Sequence, residues 1–147
     1  RELQNGGEFV VLLFLAAWGN DTLAYCTGML IGKHKMSPIL SPKKSIEGLV
    51  GGIVGAAILG ALYGLYLNTY IRFSFNPVTM FPIVCGLGGA VSVIGDLAAS
   101  AIKRDSGIKD YGTLIPGHGG ILDRFDSIIF IAPVIYYLTV MISGGAI

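Results

Sequence analysis

Charged residues are scarce in this chain. Only 13% of its 147 residues are Asp, Glu, Lys or Arg, whereas soluble domains contain roughly 25%. Hydrophobic residues make up 53%, and the mean hydropathy is +0.71. This composition argues against a soluble globular domain and predicts an integral membrane protein.

Cysteine is also rare. Cys26 and Cys85 lie in different apolar runs without metal-motif spacing, so we expect two buried free thiols rather than a disulfide or a metal site. Residues 1–9 lack an initiator Met and a basic leader segment, which argues against a signal peptide. We expect this start to be a cut through a longer protein.

Four apolar segments are each close to the roughly 20 residues that a membrane-spanning helix needs. They predict an all-α, polytopic membrane helix bundle with about four transmembrane helices and a cytoplasm-facing polar cavity. The segments cover residues 9–31, 46–67, 78–102 and 121–142, and the linkers cover residues 32–45, 68–77 and 103–120.

Basic residues are concentrated in the first and third linkers, while the other side carries only Arg1 and Arg72. The positive-inside rule therefore predicts that both basic linkers face the cytoplasm. Glycine pairs in the second segment, such as Gly48/Gly52 and Gly60/Gly64, favour close helix packing within the chain, with a subunit interface as the alternative.

Asp96 is an acid inside an apolar segment, where an ionised carboxylate needs a cation or a hydrogen-bonding partner. Three- and four-residue steps put Ser92, Asp96, Ser100 and Lys103 on one helix face. The pattern favours a metal-binding acid in a cavity. An Asp96–Lys103 pair or a polar clamp between helices is the alternative.

Asp123 and Asp126 lie three residues apart at the predicted start of the fourth helix. The spacing puts both carboxylates on one side, and converging carboxylates repel each other unless a divalent cation lies between them. Mg²⁺ suits such a site because it binds through a few carboxylates, waters and substrate phosphates. A pair of acids that only favours the helix dipole remains the alternative.

The loop at residues 116–120, which contains His118, Gly119 and Gly120, precedes that helix. Glycine-rich turns and helix N-termini bind phosphates through backbone amides, although the Gly-Lys-Ser/Thr ending of a Walker A loop is absent. Surrounding basic residues favour a polyphosphate cradle, with a plain loop as the alternative. His118 is a candidate for phosphate binding, proton transfer or a structural role in the loop.

Polar residues near the first linker extend this set. Asp21, between Asn20 and Thr22 in an apolar run, indicates a lined polar cavity. Ser45 suits the N-cap of the second helix. Lys44 is a candidate phosphate contact or a marker of the membrane boundary.

The spacing of these residues resembles the signature of the phosphatidate cytidylyltransferases (CDP-diacylglycerol synthases). The signature-like stretch covers residues 100–126, and residues 18–25, 41–48 and 95–96 also agree with the family. Ala99 is a departure, since many members carry an acid there. The resemblance covers the C-terminal catalytic half of such enzymes, so residues 1–147 are predicted to form a single transmembrane catalytic domain.

The resemblance implies a nucleotidyltransferase in the cell membrane that makes CDP-diacylglycerol and pyrophosphate from CTP and phosphatidate with Mg²⁺. It implies metal ligation and catalysis by Asp96 and Asp123, with Asp126 supporting. It also implies catalytic or substrate-binding roles for a further polar set: Asp21, Lys44, Ser45, Ser100, Lys103, Arg104, Lys109, Asp110, His118, Gly119, Gly120 and Arg124.

Two alternatives and two questions stay open at this point. The lipid acceptor could be an isoprenoid or ether-linked lipid, and intramembrane acids would also suit an ion-coupled transporter. A nucleic-acid partner is not expected, because the basic residues alternate with spanning helices. The questions are a homodimer, which the glycine-lined helices favour, and a monovalent cation beside Mg²⁺.

Overall fold

Helices form most of the described protein, a computed structural model that covers residues 6–37, 41–73, 75–108, 111 and 122–142. For residues 37, 41–43 and 122–124 only the backbone is described. The elements in chain order are α1 (Gly6–Phe14), a π-helical turn (Leu15–Gly19), α2 (Asn20–Ile31), β1 (Lys35–Ser37), β2 (Ser41–Ser45), α3 (Ile46–Tyr70), α4 (Pro77–Asp105) and α5 (Leu122–Ile142).

Four helical stretches are long and apolar enough to cross a membrane: Gly6–Ile31, Ile46–Tyr70, Pro77–Asp105 and Phe125–Ile142. The predicted all-α bundle of about four transmembrane helices is confirmed. Helices are the expected solution because they satisfy every interior backbone group within one segment. The π-helical turn was not predicted, and it lies directly before Asn20 and Asp21.

Local side-chain chemistry sets the helix starts. The Ser45 hydroxyl accepts a hydrogen bond from the Gly48 amide (3.1 Å), which confirms the predicted cap of α3. At the start of α4 the Asn76 side chain accepts from the Val78 amide (3.0 Å), and Pro77 takes the first helical position. α4 ends at Asp105, and Gly107, two residues further on, has a φ of +68°, which suits glycine.

The first linker is an antiparallel hairpin, in which Lys35 pairs with Ser45 and Ser37 with Ser41. The sequence indicated only a linker here. The hairpin base is held by Glu47, whose carboxylate accepts from the His34 amide (3.2 Å) and contacts the His34 ring Nδ1 (2.6 Å). The Ile46 amide also donates to the His34 carbonyl (2.9 Å). We call this side of the bundle the hairpin end.

An apolar core fills the half of the bundle away from the hairpin. Phe81 of α4 is 1% exposed, and it contacts the rings of Phe9, Tyr63, Phe73 and Phe75 at centroid distances of 5.7–6.2 Å. Leu12, Ala16, Ala56 and Ile131 complete the contacts between helices and have no exposed surface. The charged residues described below as lining a cavity lie in the other half.

Glycines on α3 let the neighbouring helices approach closely. A Cβ at Gly48 would lie 2.7 Å from the Ala24 carbonyl of α2, and one at Gly60 would lie 2.7 Å from the Phe81 carbonyl of α4. The predicted packing within the chain is confirmed for these positions. The cysteine prediction was half wrong: both thiols are free, but only Cys85 is buried, while Cys26 is exposed on the outward face of α2.

Candidate active site

A cavity of about 1100 Å³ lies at the hairpin end, between α2, the hairpin, α3, α4 and the start of α5. Its wall combines charged side chains with large apolar ones. The charged residues are Asp21, Lys35, Lys44, Asp96 and Asp126; the aromatic ones are Trp18, Tyr25 and Phe125. The predicted polar cavity is therefore present among the described residues, within helices of membrane-spanning length.

Asp96 and Lys44 form an ion pair across this cavity, with 2.7 Å between the Asp96 Oδ2 and the Lys44 Nζ. The carboxylate is half-buried in α4, and the lysine reaches it from β2, 52 positions earlier in the chain. The alternative of an Asp96–Lys103 pair is not what the structure shows. Lys103 points its amine at a different acid.

That acid is Asp126, whose Oδ2 lies 3.5 Å from the Lys103 Nζ. Both side chains are largely buried, at 12% and 15% exposed. The Lys103 amine also lies 5.1 Å from the centre of the Tyr111 ring, within the range of a cation–π contact. α4 and α5 are thus joined by a charged contact next to the cavity.

Asp21 adds a third carboxylate from α2. It interacts electrostatically with Asp96, Asp126 and Lys44. Acids from three helices therefore share one cavity, and two of them are held by lysine amines. Within the described ranges, no group of three His, Cys, Asp or Glu side chains is arranged to hold a metal ion.

The cavity floor contains a buried amide. Asn20 has no exposed surface, and a Cβ added at Gly52 or Gly89 would lie 2.7 or 3.1 Å from its Oδ1. No hydrogen bond of ordinary length to either side-chain atom of Asn20 is found among the described residues, and the same holds for the Ser92 hydroxyl. Burying such groups is costly, and glycines on α3 and α4 leave them room.

Six of the predicted site residues line the cavity: Asp21, Lys44, Ser45, Asp96, Ser100 and Asp126. Lys103 joins them through Asp126. Arg104 is exposed in the last turn of α4 and does not line the cavity. Asp123 and Arg124 lie in the first turn of α5, but only their backbone is described.

The remaining predicted residues, Lys109, Asp110, His118, Gly119 and Gly120, lie outside the described residues. Two contributors were missed by the sequence reasoning. Lys35 lines the cavity from β1, and this position could not be predicted without knowing that the linker forms a hairpin. Asn20 was noted only as a neighbour of Asp21, although an amide in an apolar run is itself a signal of a polar cavity.

The fold and this cavity define a polytopic membrane protein with charged side chains gathered between its helices. A model of the Cytidylyltransferase family matches residues 1–142, and the chain belongs to that family.

Curated relatives with high similarity carry the name phosphatidate cytidylyltransferase. The Staphylococcus saprophyticus protein is 39% identical over 137 residues, covering 93% of this chain and 51% of the relative. The Staphylococcus aureus (strain COL) protein is 40% identical over 135 residues, covering 92% and 50%. The chain thus spans about half the length of the curated relatives it matches.

A solved structure has a similar fold. It is described as an intramembrane enzyme for archaeal membrane lipids biosynthesis, and it aligns with a TM-score of 0.54 over 93% of this chain and 87% of its own. The sequence identity is 22%, so this likeness concerns the fold alone.

Proposed function

We propose that the full-length protein is a CTP:phosphatidate cytidylyltransferase, which makes CDP-diacylglycerol and pyrophosphate. The names of the relatives and the signature-like stretch at residues 100–126 support this activity. The observation that carries it is the set of acids and amines around the cavity, in which Asp96 and Lys44 lie 2.7 Å apart. Charged groups among membrane helices are costly in free energy, and where they occur they generally mark a functional site.

The reaction joins two highly anionic molecules. A phosphate oxygen of phosphatidate attacks the α-phosphorus of CTP, a new P–O bond forms, and the bond to the β-phosphate oxygen breaks as pyrophosphate leaves. The attacking group is already anionic, so no strong general base is needed. The role of the protein is to hold both phosphates together and offset their repulsion with positive charge. Lys44 and Lys103 are placed to contribute that charge.

The acids have the ligand chemistry for a divalent cation, although no three of the described acids are arranged as a formed metal site. Carboxylates from three helices share the cavity, and oxygen ligands of this kind suit Mg²⁺. Asp96 and Asp126, with Asp123 about one helical turn before Asp126 in α5, are the residues that would hold it. A bound Mg²⁺ would neutralise the charge that develops on the phosphates.

The position of the cavity suits a lipid and a soluble nucleotide. Large apolar side chains, among them Met29 and Leu49, line the same wall as the charged groups. We infer that the acyl chains remain among the helices while the headgroup reaches the charged wall. The Lys-rich first linker lies at the hairpin end, so the positive-inside rule supports a cavity that faces the cytoplasm.

Replacing Asp96 by Asn tests this proposal. The full-length protein would be reconstituted in nanodiscs with phosphatidate, and CDP-diacylglycerol formation measured with CTP and Mg²⁺. We expect Asp96→Asn to lower kcat by about 100-fold or more, equivalent to about 2.7 kcal/mol of transition-state stabilisation.

Asp105→Asn is the matched control, because Asp105 is exposed at the last residue of α4 and does not line the cavity. It makes the same chemical change on the same helix, and its kcat should stay within about twofold of the wild type, as for a distant surface substitution. Equal activity in a folded Asp96→Asn protein would remove this acid, and the cavity, from catalysis.

A further inference from the structure

The Lys44 ammonium contacts one oxygen, Oδ2, of the Asp96 carboxylate. The Nζ–Oδ2 distance of 2.7 Å is that of a charge-assisted hydrogen bond. Both groups line the same cavity, where Asp96 is 16% and Lys44 33% exposed. The carboxylate therefore already has a cation, and that cation belongs to the protein.

An ammonium and a divalent metal ion cannot share this carboxylate without strong repulsion. Like charges a few ångströms apart repel by several kcal/mol where water is partly excluded, about 4 kcal/mol at 4 Å for unit charges at an effective dielectric constant near 20. Any divalent ion that binds Asp96 must therefore displace the Lys44 amine or weaken its contact.

The backbone next to Lys44 is held by hydrogen bonds, so the Lys44 side chain can change its partner while the backbone stays in place. Ser45, the next residue, caps α3 through its contact with Gly48. The hairpin base is held by Glu47 and the His34 amide. A lysine side chain with four methylene groups can turn its ammonium by several ångströms without any change in these contacts.

We propose that Lys44 is an exchangeable counter-ion: it holds Asp96 before a divalent cation binds, and on cation binding its ammonium transfers to a substrate phosphate. This inference rests on the proposed function, because it takes the cation role of Asp96 as given. In this exchange the Asp96 carboxylate always has a cation beside it, first the Lys44 ammonium and then the divalent ion. The Lys44 ammonium becomes available when an anionic substrate phosphate is present.

The test measures Mn²⁺ affinity of the full-length protein by electron paramagnetic resonance, without nucleotide or phosphatidate. If Lys44 competes with the cation, Lys44→Met should bind Mn²⁺ about tenfold more tightly than the wild type, because the competing charge is removed. Lys44→Arg should bind Mn²⁺ no more tightly than the wild type, because a guanidinium holds a carboxylate with two hydrogen bonds. A residue with only a structural role would not increase cation affinity when it is lost.

Lys35→Met is the matched control. Lys35 lines the same cavity from β1, opposite Ser45 in the hairpin, and no ion pair to it is found in the described part of the chain. The substitution removes one positive charge from the same cavity but leaves Asp96 paired with Lys44. Mn²⁺ affinity should therefore rise by less than about threefold, because only the longer-range electrostatic repulsion is reduced.

The exchange is overturned if Lys44→Met binds Mn²⁺ no more tightly than Lys35→Met. If Lys44→Met does not fold, a Lys44→Arg protein that binds Mn²⁺ more tightly than the wild type overturns it instead. These failures leave the proposed function intact as long as CDP-diacylglycerol forms with Mg²⁺. Absence of Mn²⁺ binding in every variant, with and without CTP, would reject the cation role of Asp96 and the exchange together.

Discussion

Ser45 has two roles that belong to the residue scale. Its hydroxyl caps α3 by accepting from the Gly48 amide (3.1 Å), and the residue is buried against the cavity at 6% exposed. The cap fixes where α3 begins, and Lys44 is the residue immediately before it. A helix cap therefore also sets the position of a cavity-lining amine.

Ser45→Ala should destabilise the protein by about 1 kcal/mol, since an N-cap hydroxyl that satisfies a backbone amide is lost. The measurement is denaturant unfolding of the purified protein in detergent. Thr69→Ala is the control, because the Thr69 hydroxyl is exposed in the last turn of α3 and donates only to the Leu65 carbonyl (3.3 Å). If the two variants lose the same free energy of unfolding, the Ser45 cap makes no specific contribution to stability.

The residue types at the site could be predicted, but their partners could not. An acid such as Asp96 in an apolar run indicates a polar cavity, because exposing a carboxylate to lipid would cost too much free energy. Its pairing with Lys44 depends on where the fold puts β2 relative to α4, and no spacing in the sequence encodes that position. The one-face pattern of Asp96 and Lys103 suggested a pair within α4, whereas each of them reaches a different element.

At the scale of elements, α3 is a packing surface for both of its neighbours. Its glycines contact α2 near the hairpin end and α4 at the opposite end. In lipid, close backbone approach replaces the hydrophobic effect as the source of helix association. These glycines pack within the chain, so they give no support to a homodimer.

Gly60→Ala should destabilise the bundle by about 1–3 kcal/mol, the usual cost of overpacking a tight contact. Its Cβ would lie 2.7 Å from the Phe81 carbonyl, which is backbone and cannot turn aside. The midpoint of thermal unfolding in detergent measures the effect.

The control is Gly86→Ala on α4, where an added Cβ would lie 3.6 Å from the Ala57 side chain, an ordinary contact. That variant should keep or slightly raise the unfolding midpoint, because alanine favours helix more than glycine. An unfolding midpoint for Gly60→Ala equal to that of Gly86→Ala would contradict the packing described for α3 and α4.

The four helices could be predicted because a membrane span leaves a strong signal of length and apolarity. The hairpin at Lys35–Ser37 and Ser41–Ser45 could not, since its contacts with Glu47 and α4 are tertiary. The π-helical turn at Leu15–Gly19 could not be predicted either, because nothing in its apolar sequence distinguishes it from an α-helix.

For the whole molecule, the division into two halves is the main feature. Aromatic and aliphatic side chains around Phe81 fill the half away from the hairpin, and the charged cavity occupies the other half. The hairpin is one of the two basic linkers, and Lys103, where the other begins, contacts Asp126 beside the cavity at the same end. The buried packing of the apolar half fixes the helices that carry the acids of the other half.

The central claim is that this cavity brings CTP and phosphatidate together. Its most direct test measures pyrophosphate release from CTP by the full-length protein in nanodiscs, with and without phosphatidate, in Mg²⁺ and in EDTA. Release is predicted only when phosphatidate and Mg²⁺ are both present, with one CDP-diacylglycerol formed for each pyrophosphate. Release that does not depend on phosphatidate, or ion flux through the protein without any lipid-dependent release, would contradict the account.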